Sequence, residues 1–213
     1  MLDYVYFCVM KYPRTYHIQQ SLGVTSDDKI QYDLSALIGK NVIVTIKMDG
    51  ENTTLNCERV WARSLDSNNH PSRNWVKGLW GNIAYKIPSG IRICGENLYA
   101  KHSIHYTDLP SYFMAFSVWE GEQCFDWDST VNLCTELGLE IVPVIYRGIF
   151  DESIIDQLIK SVDVENHEGF VIRLEESFTY SDFSKSVVKW VRKNHVQTDK
   201  HWSTQPIIKN LLK

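Results

Sequence analysis

The sequence predicts an α+β fold in which mostly antiparallel sheets carry helices on their outer faces. Strand-like segments rich in β-branched residues recur along the whole chain, and amphipathic helical segments separate several of them. No internal repeat, low-complexity tract or Pro/Gly/Ser linker divides the chain. With 213 residues, of which 44% are hydrophobic, the chain can form one sizeable core. We therefore treat residues 1–213 as a single domain.

The strands are predicted from runs of β-branched and aromatic residues. The run 42–48 is followed by the turn signal Asp49-Gly50 and by residues 53–57, and together these predict a β-hairpin. Further strands are expected over residues 91–98, 113–119, 141–145, 169–174 and 186–191.

Three amphipathic helices are predicted from apolar residues that recur at steps of three and four. The first covers residues 75–87, and Pro88 ends its pattern. The second begins near Ser129 and has Gly138 as its expected C-cap, while the third begins at Asp151.

The charge is distributed unevenly along the chain. The formal net charge is −4, but residues 185–213 contain seven basic residues and one acidic residue, a local charge of +6. A basic tail on an acidic body is typical of a protein that binds a polyanion at one edge. A solvated C-terminal segment would have the same composition.

The composition excludes two classes of protein. No stretch reaches the roughly 18 consecutive apolar residues of a membrane-spanning helix, and Asp3 at the N-terminus is followed only by the short run 4–10, so we expect neither membrane insertion nor secretion. The five cysteines are scattered and form no Cys-x-x-Cys pair, which argues against a zinc site. We expect reduced core cysteines in a cytoplasmic protein.

The sharpest local motif is Lys47-Met48-Asp49-Gly50, which puts a lysine at the end of a predicted strand and directly before a glycine turn. Taken alone, it is more simply explained as a surface lysine of a hairpin. The interpretation changes because further motifs follow it in order along the chain. They are Ala62-Arg63-Ser64, Gly95-Glu96-Asn97-Leu98, Phe113-Met114-Ala115-Phe116, Glu168-Gly169-Phe170-Val171-Ile172-Arg173 and Val188-Lys189-Trp190.

In this order and at these spacings, the motifs resemble those of the covalent nucleotidyltransferases, the superfamily of polynucleotide ligases and messenger-RNA capping enzymes. The similarity is greatest to phage-type RNA ligases, because the first motif continues to Asn52 and because segments 11–15 and 97–103 look like theirs. The resemblance covers nearly the whole chain. It implies a nucleotidyltransferase (adenylation) domain that uses ATP and a divalent metal ion, Mg²⁺ with Mn²⁺ as the alternative.

The resemblance makes Lys47 the nucleophile that takes AMP from ATP. A lysine amine attacks only when it is neutral, whereas a free lysine has a pKa of about 10.4, so a nearby cation, a metal ion or partial burial must lower it. By resemblance, Glu168 holds the magnesium ion and Lys189 supplies a second positive charge. Strand parity puts Lys189 on the same face as Val187 and Val191.

The resemblance assigns the remaining contacts to four residues. Glu96 contacts the ribose, Phe116 stacks on the purine, Arg63 contacts the nucleotide or the end phosphate, and Asn52 helps to hold the RNA strand end. Glu96, Phe116 and Asn52 also have simpler explanations, because strand-end glutamates are commonly solvated, phenylalanines commonly fill cores, and asparagines are common in turns. Phe113 competes with Phe116 for the stacking position.

Two positions depart from the family's pattern. The family commonly has a second lysine where this chain has Val191, which leaves Arg192 or Lys193 as the candidate for that phosphate contact. The residue before the nucleophile is often glutamate, but here it is Ile46, which cannot accept a hydrogen bond from an adenine amino group. Selectivity for ATP over GTP must then rest on main-chain carbonyls or another side chain.

The sequence therefore predicts an ATP-dependent RNA ligase that joins 5′-phosphate and 3′-hydroxyl RNA ends. A DNA ligase or a GTP-using capping guanylyltransferase is the alternative among enzymes, and a non-catalytic nucleic-acid-binding module is the alternative from another class.

Only 24 residues follow Lys189, too few for the C-terminal accessory domain that many ligases carry. RNA binding then rests on an accessory protein or domain, or on the basic tail with exposed Trp190 and Trp202. The alternative for both tryptophans is burial against the sheet. Residues 206–213 are expected to form a short helix.

Overall fold

The computed structural model describes residues 10–64, 69–193 and 206–213. The strands in chain order are β1 (Tyr16–Ile18), β2 (Ile30–Gln31), β3 (Asn41–Lys47), β4 (Glu51–Leu55), β5 (Val60–Ala62), β6 (Ile91–Asn97), β7 (Phe113–Glu120), β8 (Gln123–Cys124), β9 (Glu140–Ile141), β10 (Val144–Ile149), β11 (Gly169–Leu174), β12 (Phe178–Thr179) and β13 (Val187–Val191). The α-helices are α1 (Asn74–Ile83), α2 (Trp127–Glu136), α3 (Ser153–Ser161) and the single turn α4 (Phe183–Ser186). The 3₁₀ turns Pro71–Arg73 and Ala84–Lys86 flank α1.

Within the described residues the strands form two sheets. The first has the order β10-β3-β11-β13-β1-β2, antiparallel from β10 to β13 and parallel at β1 and β2. The second has the order β12-β8-β7-β6-β4-β5 and is antiparallel, with the short β9 added parallel to β7. The predicted α+β class with mostly antiparallel sheets is confirmed.

The predicted hairpin between residues 42–48 and 53–57 is wrong. β3 pairs with β10 and β11 in the first sheet, whereas β4 pairs with β5 and β6 in the second. The three residues between these strands carry the chain from one sheet to the other. Gly50 is required there, because a Cβ would lie 2.5 Å from the carbonyl oxygen of Asn97. The segment that looks like a hairpin turn is therefore a crossing between sheets.

The helices agree with the apolar periodicity and differ at their ends. The carboxylate of Asp126 accepts a hydrogen bond from the Ser129 main-chain N–H at 2.8 Å, so α2 begins two residues before Ser129. Gly138 follows α2 with a φ of 68°, as expected of a C-terminal glycine. The first helix ends as a 3₁₀ turn before Pro88.

The core has two clusters. Residues of α1 and α2 pack with one face of the second sheet, where Val76 and Cys134 meet Ile93 and Phe113. The larger cluster includes residues of both sheets, together with Ile155 and other residues of α3. Across the described ranges, no helix has the length and hydropathy needed to cross a membrane.

Residues 206–213 do not form the expected helix. They run as an extended segment beside the loop after β6, with single bridges from Ala100 to Lys209 and from Leu109 to Leu212. The main-chain groups of this segment bond to that loop rather than to each other. Asn210 at its centre is completely buried.

Candidate active site

A cavity of about 800 Å³ contains most of the candidate residues. The first sheet contributes Lys47, Val171 and Lys189 to its wall, and the second contributes Asn52, Glu96 and Phe116. Arg63, directly after β5, and residues 12–15 of the N-terminal segment also line it. The sheet crossing therefore brings together motifs that are far apart in sequence.

Lys47 lies at the end of β3 with its ammonium 2.5 Å from Oε2 of Glu168. The register produces this contact, because Gly169 pairs with Lys47 in the antiparallel β3–β11 ladder. A Cβ at position 169 would lie 2.0 Å from the carbonyl oxygen of Trp190, so only glycine allows this approach. The Glu168 side chain is 8% exposed, and the two groups form a largely buried ion pair.

Two further carboxylates lie near Lys47. Glu96 accepts a hydrogen bond from the Gly50 N–H at 3.2 Å. Asp49 accepts from the main-chain N–H of Ser103 at 2.8 Å, from its hydroxyl at 2.6 Å and from the N–H of Ile104 at 2.9 Å. The residue after the nucleophile candidate is therefore fixed by the loop that follows β6.

These carboxylates determine the protonation of the site. Burial disfavours the charged form of Lys47, but Glu168 and Glu96 outweigh it, so the pKa of Lys47 is raised. Burial raises the pKa of Glu96 to about 8, and Glu168 adds to the increase although Lys47 opposes it. Lys47 is therefore an ammonium in the absence of a ligand.

Lys189 lies on the same sheet face as Lys47, one row further along. It pairs in register with Val171, which pairs in turn with Thr45, two residues before Lys47. Its ammonium lies 3.6 Å from Oδ1 of Asp28. Burial and the charge of Lys47 lower the pKa of Lys189, although Asp28 opposes this.

The two stacking candidates lie on opposite faces of β7, and Phe116 stands at a β-bulge. Cys94 pairs with Ser117 and Gly95 with Ala115, so Phe116 is the extra residue of β7. Phe116 lines the cavity, and its ring contacts Tyr12 edge to face at 5.2 Å between centroids. Phe113 is completely buried in the cluster beneath α1 and α2.

Arg63 and Asn52 lie side by side in the wall, where the Arg63 N–H donates to the Asn52 carbonyl at 2.9 Å. Nε of Arg63 and Oδ1 of Asn52 are buried without a hydrogen-bond partner in the described structure. Burial and the neighbouring Arg14 lower the pKa of Arg63. Unpaired buried polar atoms are uncommon, and a ligand or water can complete their bonding.

Three of the other sequence candidates lie outside the cavity wall. Lys193 is exposed, and Arg192 is half-buried with its N–H bonded to the carbonyl of Glu168 at 3.0 Å. Trp190 is 2% exposed and stacks on Phe170, so the expectation that it is exposed is wrong. It lies on the opposite face of β13 from Lys189. Trp202 falls outside the described residues.

Asp28, Asp49 and Tyr106 belong to the site and were not identified from the sequence. Asp28 is one of several polar residues in a stretch without periodicity, so no local signal marks it. The sequence pattern Asp49-Gly50 predicts only a turn at Asp49. The Tyr106 hydroxyl accepts a hydrogen bond from the Asp49 N–H at 3.0 Å. Only the long-range packing reveals these three roles.

Comparison with known proteins gives one family match and a set of similar folds. The family model described as RNA ligase matches residues 40–191. Among curated protein sequences, none matches the chain.

Three solved structures illustrate the similarity of fold. An archaeal ATP-dependent RNA ligase has a TM-score of 0.60 at 15% identity, covering 86% of this chain and 48% of that one. A putative ATP-dependent DNA ligase from Aquifex aeolicus has a TM-score of 0.54 at 17% identity, covering 86% and 50%. A Naegleria gruberi RNA ligase mutant with AMP and Mn has a TM-score of 0.54 at 13% identity, covering 88% and 56%. The chain thus spans about half the length of each of these proteins.

Proposed function

The chain belongs to the RNA ligase family, and we propose that it is an ATP-dependent RNA ligase that joins 5′-phosphate and 3′-hydroxyl ends through a lysyl-AMP intermediate on Lys47. The observation that carries this proposal is the position of the Lys47 amine. It lies at the wall of an 800 Å³ cavity with a carboxylate at 2.5 Å and a second lysine on the same sheet face. The names of the archaeal and Naegleria gruberi RNA ligases agree with this assignment, whereas the Aquifex aeolicus protein is named as a putative DNA ligase.

The proposed first step forms a bond between Lys47 Nζ and the α-phosphorus of ATP. The bond from that phosphorus to the bridging oxygen of the β-phosphate breaks, pyrophosphate leaves with the electron pair, and the amine loses a proton. An oxygen of the RNA 5′-phosphate then attacks the same phosphorus, the P–N bond breaks and Lys47 regains a proton. Finally the 3′-hydroxyl attacks the activated 5′-phosphate, AMP leaves and the hydroxyl proton is released.

The residues of this chain supply charge and position for these transfers. Lys189 and Arg63 bring positive charge to phosphate oxygens in a partly buried site, where charge stabilisation is stronger than in water. Phe116 provides a flat apolar surface for the base, and Glu96 and Asn52 face the cavity where they can bond to ribose or to an RNA end. These roles are proposals from residue type and location.

A divalent metal ion fits the residues present. Among the described residues there is no group of three or more His, Cys, Asp or Glu side chains that could hold a metal alone. Mg²⁺ usually binds one or two carboxylates and takes its other ligands from water and substrate phosphates, so Glu168 suffices as the protein ligand. When bound, Mg²⁺ or Mn²⁺ would neutralise phosphate charge and compete with Lys47 for Glu168.

Adenine is the proposed base, and its recognition does not use the residue before the nucleophile. Ile46 is buried against the wall and its N–H donates to the carbonyl of Pro143 at 2.8 Å. The apolar side chain of Ile46 and its main-chain N–H, which is a donor, cannot accept a hydrogen bond from an amino group. A preference for ATP must therefore come from main-chain carbonyls or other side chains. GTP is the nucleotide against which this preference has to be measured.

The decisive experiment is covalent labelling with α-³²P-ATP and Mg²⁺. We expect one AMP per chain, attached by a bond that survives alkali and is cleaved by acid, as for a phosphoramidate. Lys47→Ala should abolish the label, whereas Lys160→Ala, which removes an exposed lysine at the end of α3, should label like the unmodified protein. Absence of label from the unmodified protein at every pH would contradict the proposal.

The same preparation separates the alternatives. Labelling by α-³²P-GTP but not by ATP would indicate a capping-type guanylyltransferase. Sealing of nicked DNA in preference to RNA would indicate a DNA ligase. Binding of RNA without any label would indicate a non-catalytic module, and sealing only after addition of a second protein would indicate an accessory partner.

The cytoplasmic location and the single-domain organisation over residues 1–213 remain predictions. The cysteines within the described ranges are free thiols, and Cys94, Cys124 and Cys134 are buried, which agrees with a reducing compartment.

A further inference from the structure

The loop between β1 and β2 brings a carboxylate into the cavity from outside the matched family region, which begins at residue 40. β1 lies parallel to β13, and His17 pairs in register with Lys189. The chain then turns back so that β2 lies beside β1, and the His17 N–H donates to the carbonyl of Lys29 at 2.8 Å. This arrangement places Asp28 over the row that contains Lys189.

The carboxylate of Asp28 is held from two sides. Its Oδ2 accepts hydrogen bonds from the Thr25 main-chain N–H at 3.1 Å and from the Thr25 hydroxyl at 2.9 Å. Its Oδ1 faces Nε2 of His17 at 3.3 Å and the ammonium of Lys189 at 3.6 Å. One oxygen is thus fixed by the loop, and the other is directed at the cavity lysine.

His17 is itself fixed, so the position of the carboxylate is well determined. The ring is 1% exposed, and its Nδ1 lies 2.6 Å from the Ser21 hydroxyl oxygen. That oxygen accepts from the Val191 N–H at 2.9 Å and lies 3.3 Å from the Val191 carbonyl. The row of Ser21, His17 and Asp28 resembles a hydrolytic triad, but Ser21 is buried and bonded to β13, so it serves as a support and not as a nucleophile.

We propose that Asp28 is a positioning residue for the ligase reaction. It keeps the ammonium of Lys189 charged and directs it into the cavity, toward the phosphates of the bound nucleotide. This inference rests on the function proposed above. Lysine has four rotatable side-chain bonds, and fixing it before the nucleotide binds removes part of the entropy that would otherwise be lost on binding. Asp28 is placed for this role, because its Oδ1 lies 3.6 Å from the Lys189 ammonium.

The charge balance supports this role. The ionisable groups that affect Lys189 are Asp28 and Glu168, which favour its ammonium, and Lys47, which disfavours it together with burial. His17 shares the Asp28 carboxylate. Without the Asp28 charge, Lys189 would lie beside Lys47, and among these described groups Glu168 would be the remaining carboxylate that favours its protonated form. Lys189 would then lose its proton at a lower pH.

The test compares Asp28→Asn with Asp33→Asn. Asp33 is exposed and its Oδ1 accepts a hydrogen bond from the Ser35 N–H at 2.9 Å, which the amide oxygen of asparagine can also accept, so the substitution removes one negative charge outside the cavity. The measurement is the single-turnover rate of AMP transfer to Lys47 at saturating ATP, over a pH range of about 6 to 10. We expect Asp28→Asn to be slower by about tenfold near neutral pH, with a deficit that widens as pH rises, and Asp33→Asn to match the unmodified protein.

Two further variants keep the test decisive. Asp28→Glu retains the charge and should recover to within about threefold of the original rate. Thr25→Val removes only the hydroxyl that orients the carboxylate, and should slow transfer by about threefold even if Asp28→Asn fails to fold. Equal rates and equal pH profiles for Asp28→Asn and Asp33→Asn would overturn the proposal, as would an unchanged rate in Thr25→Val if Asp28→Asn cannot be purified. These outcomes differ from failure of the proposed function, in which the unmodified protein itself takes no label.

Discussion

The two lysines of the cavity lie on one sheet face and are both paired with a carboxylate, yet their surroundings differ. Lys47 contacts Glu168 at 2.5 Å and has Glu96 and Asp49 nearby, so its pKa is raised in spite of burial. Lys189 is 3.6 Å from Asp28, and burial together with the charge of Lys47 lowers its pKa. The nucleophile candidate is therefore the lysine that holds its proton more firmly.

This difference indicates what the proposed reaction requires at its start. Burial alone does not produce a neutral amine at Lys47, because three carboxylates outweigh it. The charge of those carboxylates must be reduced or engaged before the amine can attack, and a bound nucleotide with its metal ion is the natural agent. Lys189, whose proton affinity is lower, depends on Asp28 to remain a cation. Each predicted variant changes the surroundings of one of these two lysines.

Glu168→Gln should have the largest effect. It removes the partner of the Lys47 ammonium and also the proposed metal ligand, so the rate of AMP transfer should fall by about 10³-fold. Single-turnover labelling at increasing Mg²⁺ and Mn²⁺ measures it, and more metal should not restore the rate. A rate within tenfold of the original would show that Glu168 is only the partner of an ion pair.

Lys189→Met should come next, with a loss of about 10²-fold, because it removes a phosphate-facing cation but leaves Lys47 and Glu168 in contact. Lys189→Arg should lose less, since the charge remains while the geometry changes. The measurement is the same labelling assay. Equal loss in the Met and Arg variants would show that the shape of the lysine matters more than its charge.

The same two lysines show what the sequence could and could not predict. Lys47, Glu168 and Lys189 stand at the ends or centres of strands whose β-branched and apolar pattern is local, so their positions on strands followed from the residues alone. The pairing of β3 with β11 rather than β4 depends on contacts between residues more than 120 positions apart, as in the Lys47–Glu168 bond. A turn signal such as Asp49-Gly50 does not distinguish a hairpin from a crossing between sheets.

The directions of two aromatic side chains could not be predicted from the local sequence either. Phe116 lies three residues after Phe113 in β7 and therefore on the opposite face, but alternation does not tell which face lines a cavity, and the bulge at Phe116 shifts only the residues that follow it. Trp190 follows Lys189 and must face the other side of the sheet, where Phe170 and the carbonyl of Gln20 accommodate its ring and its indole N–H. A count of aromatic residues in a basic tail cannot separate a buried ring from an exposed one.

Asn210→Ala tests whether buried hydrogen bonds outside the cavity help to hold the segment next to Lys47 in place. Completely buried Asn210 donates to the Leu98 carbonyl at 2.8 Å and accepts from the Tyr106 N–H at 2.9 Å, and the Tyr106 hydroxyl in turn bonds to Asp49. Loss of the amide leaves buried polar groups unpaired, so the free energy of unfolding should fall by about 2–3 kcal/mol. Urea denaturation measures this.

The matched control for that variant is Asn166→Ala, in which an exposed asparagine loses a hydrogen bond to Asp163. It should change stability by less than about 0.5 kcal/mol. If the role of Asn210 extends to the nucleophile loop, labelling at saturating ATP should also slow several-fold in Asn210→Ala. An unchanged labelling rate in a destabilised Asn210→Ala protein would confine its role to folding.

The smallest effect concerns Glu96, the second carboxylate beside Lys47. Because burial raises the pKa of Glu96 from its ordinary value of 4.5 to about 8, the folded protein keeps a proton that the unfolded chain releases between these two pH values. Stability should therefore fall as pH rises from about 4.5 to about 8 and then level off for this group. Glu96→Gln cannot ionise, so the stability of this variant should decline less over this pH window than that of the unmodified protein. Urea denaturation at pH values on both sides of the window measures the difference, with Glu140→Gln, an exposed glutamate on β9, as the control. Parallel pH profiles for the three proteins would show that Glu96 ionises as freely in the folded state as in the unfolded chain, and that the carboxylates around Lys47 are less strongly coupled than their burial indicates.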